Sequence, residues 1–326
     1  MFLIHNRPEQ APLLAAAAVG ACRLPSGWPS PAQPELLTAL FERLLGVAVD
    51  LEGLEPAEPE QVAEALPDAE QRRELIELLV LLELLCRPIP LPLQRSLERW
   101  AEALAVEDQV LVLARDLSRR SQAIATADFY RLNWIGEGDP QQDPHFQALL
   151  EHYGAAAYAL TMEADPEELR RWQALAACPQ GSLGQGLWDF YQQRGFRLPG
   201  EVGAANAALA HHDWVHLLAG YDTTPIGELE VTAFMAAASR SRGAMLGFLG
   251  AVSIYETGLL RSVVLGVECA HSLTAPGALE RVAAAIQRGA ACRVDPLLEV
   301  DYFALADQPL ERIRRDWGLE AVALAA

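Results

Sequence analysis

An all-α helical bundle is the fold class this sequence predicts, and three observations carry it. Apolar residues recur at intervals of three and four along most of the chain, proline-rich loops separate those stretches, and the period-two alternation of a half-buried strand is scarce. With 326 residues, 51% hydrophobic and 21% charged, the chain has the content of a globular protein with a substantial core, as one large domain or two.

The elements follow in order. The apolar run Leu13 to Cys22 superficially resembles a signal-peptide core. Glu9 stands beside Arg7 in its flank, however, and the run is too short to span a bilayer, so a packed helix is expected. After the loop Pro25 to Pro34 comes the amphipathic stretch Glu35 to Leu45, then an acidic, proline-punctuated segment at 52–68. Helices are expected from Glu70 to Cys86, Leu93 to Leu104 and Gln109 to about Tyr130, with Pro88, Pro90 and Pro92 separating the first two. Gly136 to Pro144 has the composition of a linker, and helices at 145–162 and 166–177 follow it. We place a boundary near 138–164, giving an N-terminal helical domain, 1–150, and a C-terminal metal-binding helical domain, 151–326. Residues 244–267 approach membrane length, but Glu256, Arg261 and recurrent glycines interrupt them, so a buried or membrane-surface helix is expected.

Composition excludes several functions. A net charge of −19 with no basic block argues against nucleic acid and disfavours anionic membrane surfaces. All 25 basic residues are arginine, which removes Schiff-base chemistry, pyridoxal-phosphate anchoring and a Walker-type phosphate loop. Five scattered cysteines without a Cys-x-x-Cys pair suggest neither a zinc ribbon nor a disulfide framework and fit a reducing cytoplasm.

The chemistry concentrates in His-Asp-x-x-His-x(11)-Glu, formed by His212, Asp213, His216 and Glu228. Residues four apart on an α-helix differ by about 40° in azimuth and about 6 Å in height, so His212 and His216 project from one face, with Asp213 flanking it. Gly220 to Pro225 supplies a helix stop, turn formers, an N-cap in Thr224 and a proline at N1. Glu228 then lies in the first turn of the returning helix, level with His216. Two imidazoles and up to two carboxylates suit Zn²⁺, Mn²⁺, Co²⁺ or Fe²⁺ without choosing among them. Three ligands with open positions would suit oxygen chemistry, whereas four would favour a structural or Lewis-acid role. The alternative without an ion is a buried network in which both histidines bond to Asp213 and Glu228.

From about residue 166 onward the chain resembles the Coq-four family of ubiquinone (coenzyme Q) biosynthesis proteins. The likeness rests on the metal motif, on Pro179-Gln180-Gly181-Ser182-Leu183-Gly184 followed by the aromatic Trp188 to Tyr191, on Thr223-Thr224 and Gly227-Glu228-Leu229, and on the closing Leu310 to Leu319. It implies a helical domain that binds a divalent metal and the polyprenyl chain of a quinone precursor or another isoprenoid lipid. It also implies peripheral membrane contact from the cytoplasmic face, other quinone-biosynthesis proteins as partners, and either a scaffolding role or oxidative decarboxylation of the prenylated ring. A homodimer is left open. The chain departs from the family at Asn206 to His211, where an Arg-Tyr-Arg-rich run is usual, and near 235–236, where Met and Ala replace a second glutamate. The N-terminal stretch Arg72 to Leu82 is similar to TerB-like helical bundles, with Cys86 to Pro90 in place of their acidic Asp-Gly loop.

Rival readings use the same residues. In a zincin-like hydrolase, Asp213 would be the general base and Glu228 the third ligand. A His-Asp phosphohydrolase would draw on His145, His152 and Asp222. A lipid-binding scaffold would use the small and apolar residues from Phe234 to Val267 as a groove, although a helix-bundle core explains the same composition. Trp214, Tyr221 and Phe234 are expected to be either pocket lining or core. Arg240 and Arg242 would meet an anionic head group or solvent, and Arg312, Arg314 and Arg315 would counter a helix C-terminus. Cys269 and His271 are expected to be structural.

Overall fold

Helix starts are set by short polar side chains that accept the first free backbone N–H groups. In the computed structural model, which describes residues 3–106, 161, 163–258 and 271–319, Asp68 accepts from Glu70 and Gln71, Asp165 from Glu167 and Glu168, and Ser182 from Gln185. Asn206, Thr224 and Ser241 accept from Leu209, Gly227 and Gly243 in the same way. The α-helices of the described residues are α1 (Ala11–Cys22), α2 (Ala32–Leu40), α3 (Pro59–Ala65), α4 (Ala69–Leu84), α5 (Leu91–Leu104), α6 (Pro166–Gln173), α7 (Leu183–Arg194), α8 (Ala207–Ala219), α9 (Pro225–Ala238), α10 (Arg242–Tyr255), α11 (Ala278–Ala291) and α12 (Leu310–Trp317). Only two isolated β-bridges occur among these residues, so the expected all-α class is observed there.

The boundaries differ from expectation for identifiable reasons. Helix α2 starts three residues before Glu35, because Pro34 falls in its first turn, where a missing N–H costs nothing. It passes into a π-turn, Phe41–Leu45, which Gly46 stops at φ 67°. Helix α3 lies in the acidic, proline-punctuated segment 52–68, for which no helix is expected. Pro59 occupies its first turn, and Gln61 reaches back to the Glu58 N–H, so that proline starts a helix there.

Helix α1 is buried along most of its length, as the packed-helix reading expects. Helix α4 buries Leu75, Leu78, Leu79, Leu81 and Leu82 together with Glu74, Glu77 and Glu83. The Glu74 carboxylate receives the His5 imidazole at 2.8 Å and the Asn6 amide at 3.0 Å, so a buried charge anchors the N-terminal segment to the bundle.

Helix α11 packs along α9 and also meets α2. Across the second junction Arg43 pairs with Glu280 at 2.8 Å, and Gln287 donates to the Arg43 carbonyl at 2.6 Å. The described part of the expected groove is core: Phe234, Met245, Leu246, Phe248, Leu249 and Val252 are all buried. Close approach to this stretch depends on a glycine outside it, since a Cβ on Gly289 of α11 would lie 2.2 Å from the Phe234 carbonyl oxygen of α9. No helix of the described residues is long and apolar enough to cross a membrane. The helices expected at 109–130 and 145–162, the linker at 136–144, Arg261, and Cys269 lie outside the described residues.

Gly289→Ala therefore forces α9 and α11 apart. We expect a loss of about 1–3 kcal/mol, the usual penalty of overpacking a core, read as a lowered denaturant midpoint with unchanged helical content. An unchanged midpoint would show that this crossing is looser than the contact indicates.

Candidate metal centre

The site is built on the hairpin of α8 and α9. Gly220 ends α8 in the left-handed conformation at φ 76°. Asp222 accepts from the Thr224 N–H at 2.8 Å, Thr224 caps α9, and Pro225 takes its first position. Gly227 is required at the next turn, because a Cβ there would lie 2.1 Å from the Asp222 carbonyl oxygen. Two arginines from later in the chain satisfy the carbonyls at the end of α8. Arg314 donates to Leu217 at 2.8 Å and to Leu218 at 3.0 Å, and Arg288 donates to Ala219 at 3.1 Å. Arg314 thus counters a helix C-terminus, as expected.

The hairpin brings His212, His216 and Glu228 together, with one potential ligand atom from each lying within 4.8 Å of the others. The His212 Nε2 is 3.6 Å from one Glu228 oxygen, and the His216 Nε2 is 3.4 Å from the other. The outer nitrogens are both directed at backbone carbonyls: His212 Nδ1 at Leu209, and His216 Nδ1 at Tyr221, 3.3 Å away. A carbonyl only accepts, so each Nδ1 carries a proton and each Nε2 is the atom turned to the centre. The His216 Nε2 is buried and has no hydrogen-bond partner. An unpartnered buried ring nitrogen facing a carboxylate and a second imidazole fits a divalent cation.

Asp213 falls outside that group of three. It is buried, with Oδ1 3.5 Å from the His212 Nε2 and Oδ2 accepting from the Tyr191 hydroxyl of α7. Phe190, the neighbour of Tyr191, lies 6.0 Å from the His216 ring, and the Arg194 guanidinium stacks 3.7 Å over Phe190. Arg194 also donates to Thr223 at 3.1 Å, tying α7 to the hairpin turn.

The aromatic residues singled out from sequence are core. Trp214 stacks on Tyr302 at 5.3 Å and packs with Trp172 and Phe303, on the side of α8 away from the two histidines. Tyr221 and Phe234 meet at 6.1 Å, and Tyr221 serves the site through its carbonyl. Arg240 is exposed and paired with Glu299. Asp222 belongs to the turn, whereas His145 and His152 lie outside the described residues. His271 is exposed and holds a left-handed turn at φ 65°.

Electrostatics hold the ligand groups in opposite states. Burial opposes a charge on His212, but the Asp213 and Glu228 carboxylates and the Leu209 carbonyl outweigh it and raise the pKa to about 10. Burial likewise disfavours the Glu228 carboxylate, yet His216 and His212 hold it well below the usual range. Without metal, His212 keeps its proton at neutral pH, above the ordinary value of about 6.5, and loses it only as pH rises through about 10. Cation uptake must displace that proton. Affinity should therefore rise by up to about tenfold per pH unit between pH 7 and 10, measured by competition with a chromogenic chelator. A flat profile would mean that no imidazole proton is exchanged.

No family model matches this chain, and no curated protein is significantly similar to it. Among solved structures, the chain is similar to the crystal structure of a Nostoc punctiforme protein provisionally assigned to ubiquinone biosynthesis. The match covers 75% of this chain and 97% of that one, at 18% identity and a TM-score of 0.33.

Proposed function

We propose that this chain is a divalent-metal protein of prenylquinone biosynthesis, holding its ion with His212, His216 and Glu228. The single observation that carries the metal reading is the pair of Nε2 atoms, each turned inward by an Nδ1 donation and both facing the Glu228 carboxylate. Two neutral imidazoles and one carboxylate would leave a bound divalent ion one net positive charge and room for further ligands. Such an ion supplies Lewis acidity, or as iron the two-His-one-carboxylate chemistry that suits oxidative decarboxylation.

The assignment to quinone synthesis rests on the sequence elements shared with the Coq-four family, and their packing supports it. Ser182 caps α7, and Gly184 lies where a Cβ would be 2.6 Å from the Cys178 sulfur and 3.0 Å from the Ala306 carbonyl oxygen. The Leu183 and Gly184 N–H groups donate to Gln308 and Ala306 at 2.9 and 2.8 Å, just before α12 begins. Helix α12 then sends Arg314 to the end of α8. The three elements separated in sequence are thus packed around the metal hairpin. We place the ring of a polyprenyl quinone precursor beside the triad, with membrane contact and partner biosynthesis proteins as parts of the same reading.

The test loads purified protein with Fe²⁺, Zn²⁺, Mn²⁺ or Co²⁺ and adds a polyprenylated, ring-carboxylated precursor and oxygen. We expect about one ion per chain and release of carbon dioxide with at least one metal, with His216→Ala losing both. Binding of the precursor without turnover would assign the scaffold role. Neither binding nor turnover would overturn the quinone assignment while leaving the metal measurement to stand by itself.

A further inference from the structure

Asp213 lies beside His212 in the chain, yet its side chain is committed elsewhere. One oxygen accepts the Tyr191 hydroxyl from α7, and the other faces the His212 Nε2 from 3.5 Å. It is not among the three groups whose ligand atoms all lie within 4.8 Å of one another. Tyr191 is itself 1% exposed, packed at 5.3 Å against Trp172 and at 5.8 Å against Phe196, so its hydroxyl has little freedom to move. A carboxylate gripped by a fixed donor holds its remaining oxygen at one place. That place borders the nitrogen that would carry the ion.

We propose that Asp213 is an outer-shell residue, locked by Tyr191, that would accept a hydrogen bond from a protic group, a water or a ring hydroxyl, held at the ion. This rests on the metal reading above and makes the centre a three-ligand site. The Tyr191 to Asp213 contact joins α7 to α8, so the aromatic element starting at Ser182 acts on the metal through one carboxylate. Outer-shell partners of this kind alter metal affinity by about 10–100-fold when removed, far less than loss of a ligand.

The test uses Co²⁺ as probe, because its visible absorption reports coordination number and ligand type separately from activity. Full-length wild type, Asp213→Asn, Asp213→Ala, Tyr191→Phe and the Tyr191→Phe/Asp213→Ala double variant are titrated, with His216→Ala as the ligand-loss control and circular dichroism to check folding. We expect one Co²⁺ per chain and a wild-type spectral shape in each Asp213 and Tyr191 variant. Affinity should fall about 10–100-fold, and the double variant should be no weaker than Asp213→Ala. Asp213→Asn, which keeps the shape of the side chain, guards against a folding defect in the alanine variant. Loss of binding as severe as in His216→Ala, or a changed coordination spectrum in Asp213→Ala, would make Asp213 a ligand and overturn the proposal. So would additive losses in the double variant, which would separate Tyr191 from Asp213. A wild type that takes up no Co²⁺ would remove the metal reading itself, an outcome distinct from each of these.

Discussion

Two backbone carbonyls decide what the histidine pair can do. The Leu209 carbonyl belongs to α8 itself, and the Tyr221 carbonyl belongs to the turn that follows. Each takes an imidazole N–H, and each thereby fixes a tautomer and a ring orientation. The Tyr221 carbonyl is where it is because Gly220 adopts a left-handed conformation and Gly227 lets α9 close against Asp222. The geometry of a two-residue interaction is therefore set by the backbone of a hairpin turn.

That turn is held from outside. Arg314 and Arg288 reach carbonyls at the end of α8 from α12 and α11. Arg281 of α11 forms a bidentate pair with Glu230 of α9, at 2.9 and 2.5 Å. Gly289 lets the same two helices approach to the point where a methyl group would strike backbone. Arginine suits the carbonyl-binding role because its planar fork addresses two acceptors from one side chain. In a strongly acidic chain these arginines are spent on backbone and carboxylate partners near the site, and that leaves the surface negative.

The all-α class, the hairpin and its three convergent side chains were legible because each has a local cause. A four-residue spacing fixes a shared helix face, and a Gly-to-Pro interval fixes a turn. The boundary of α2, the π-turn and the whole of α3 were not legible. Proline was weighed there as a breaker, whereas at Pro34 and Pro59 it occupies first-turn positions that have no N–H obligation. That Trp214 joins the core was an expected alternative, but its partners there were equally hidden. It lies two residues from His212 and His216 in sequence, but the helical period turns it toward Tyr302 and Phe303, residues about 90 positions away.

Asp213 shows how far the surroundings of a motif residue depend on elements outside the motif. On a helix, consecutive residues diverge by about 100°, so a carboxylate next to His212 reaches the same volume only if nothing else claims it. Here a tyrosine 22 residues upstream claims one oxygen, and the sequence holds no local signal for that contact because it depends on how α7 crosses α8. Tyr191 could have been suspected only from its place in the aromatic run after Ser182, where Phe190 and Tyr191 point toward neighbouring parts of one site: Phe190 toward His216, Tyr191 toward Asp213. A run of large side chains beside a metal motif reads as packing. Its hydroxyl, buried and directed at a carboxylate, ties that packing to the residue beside His212.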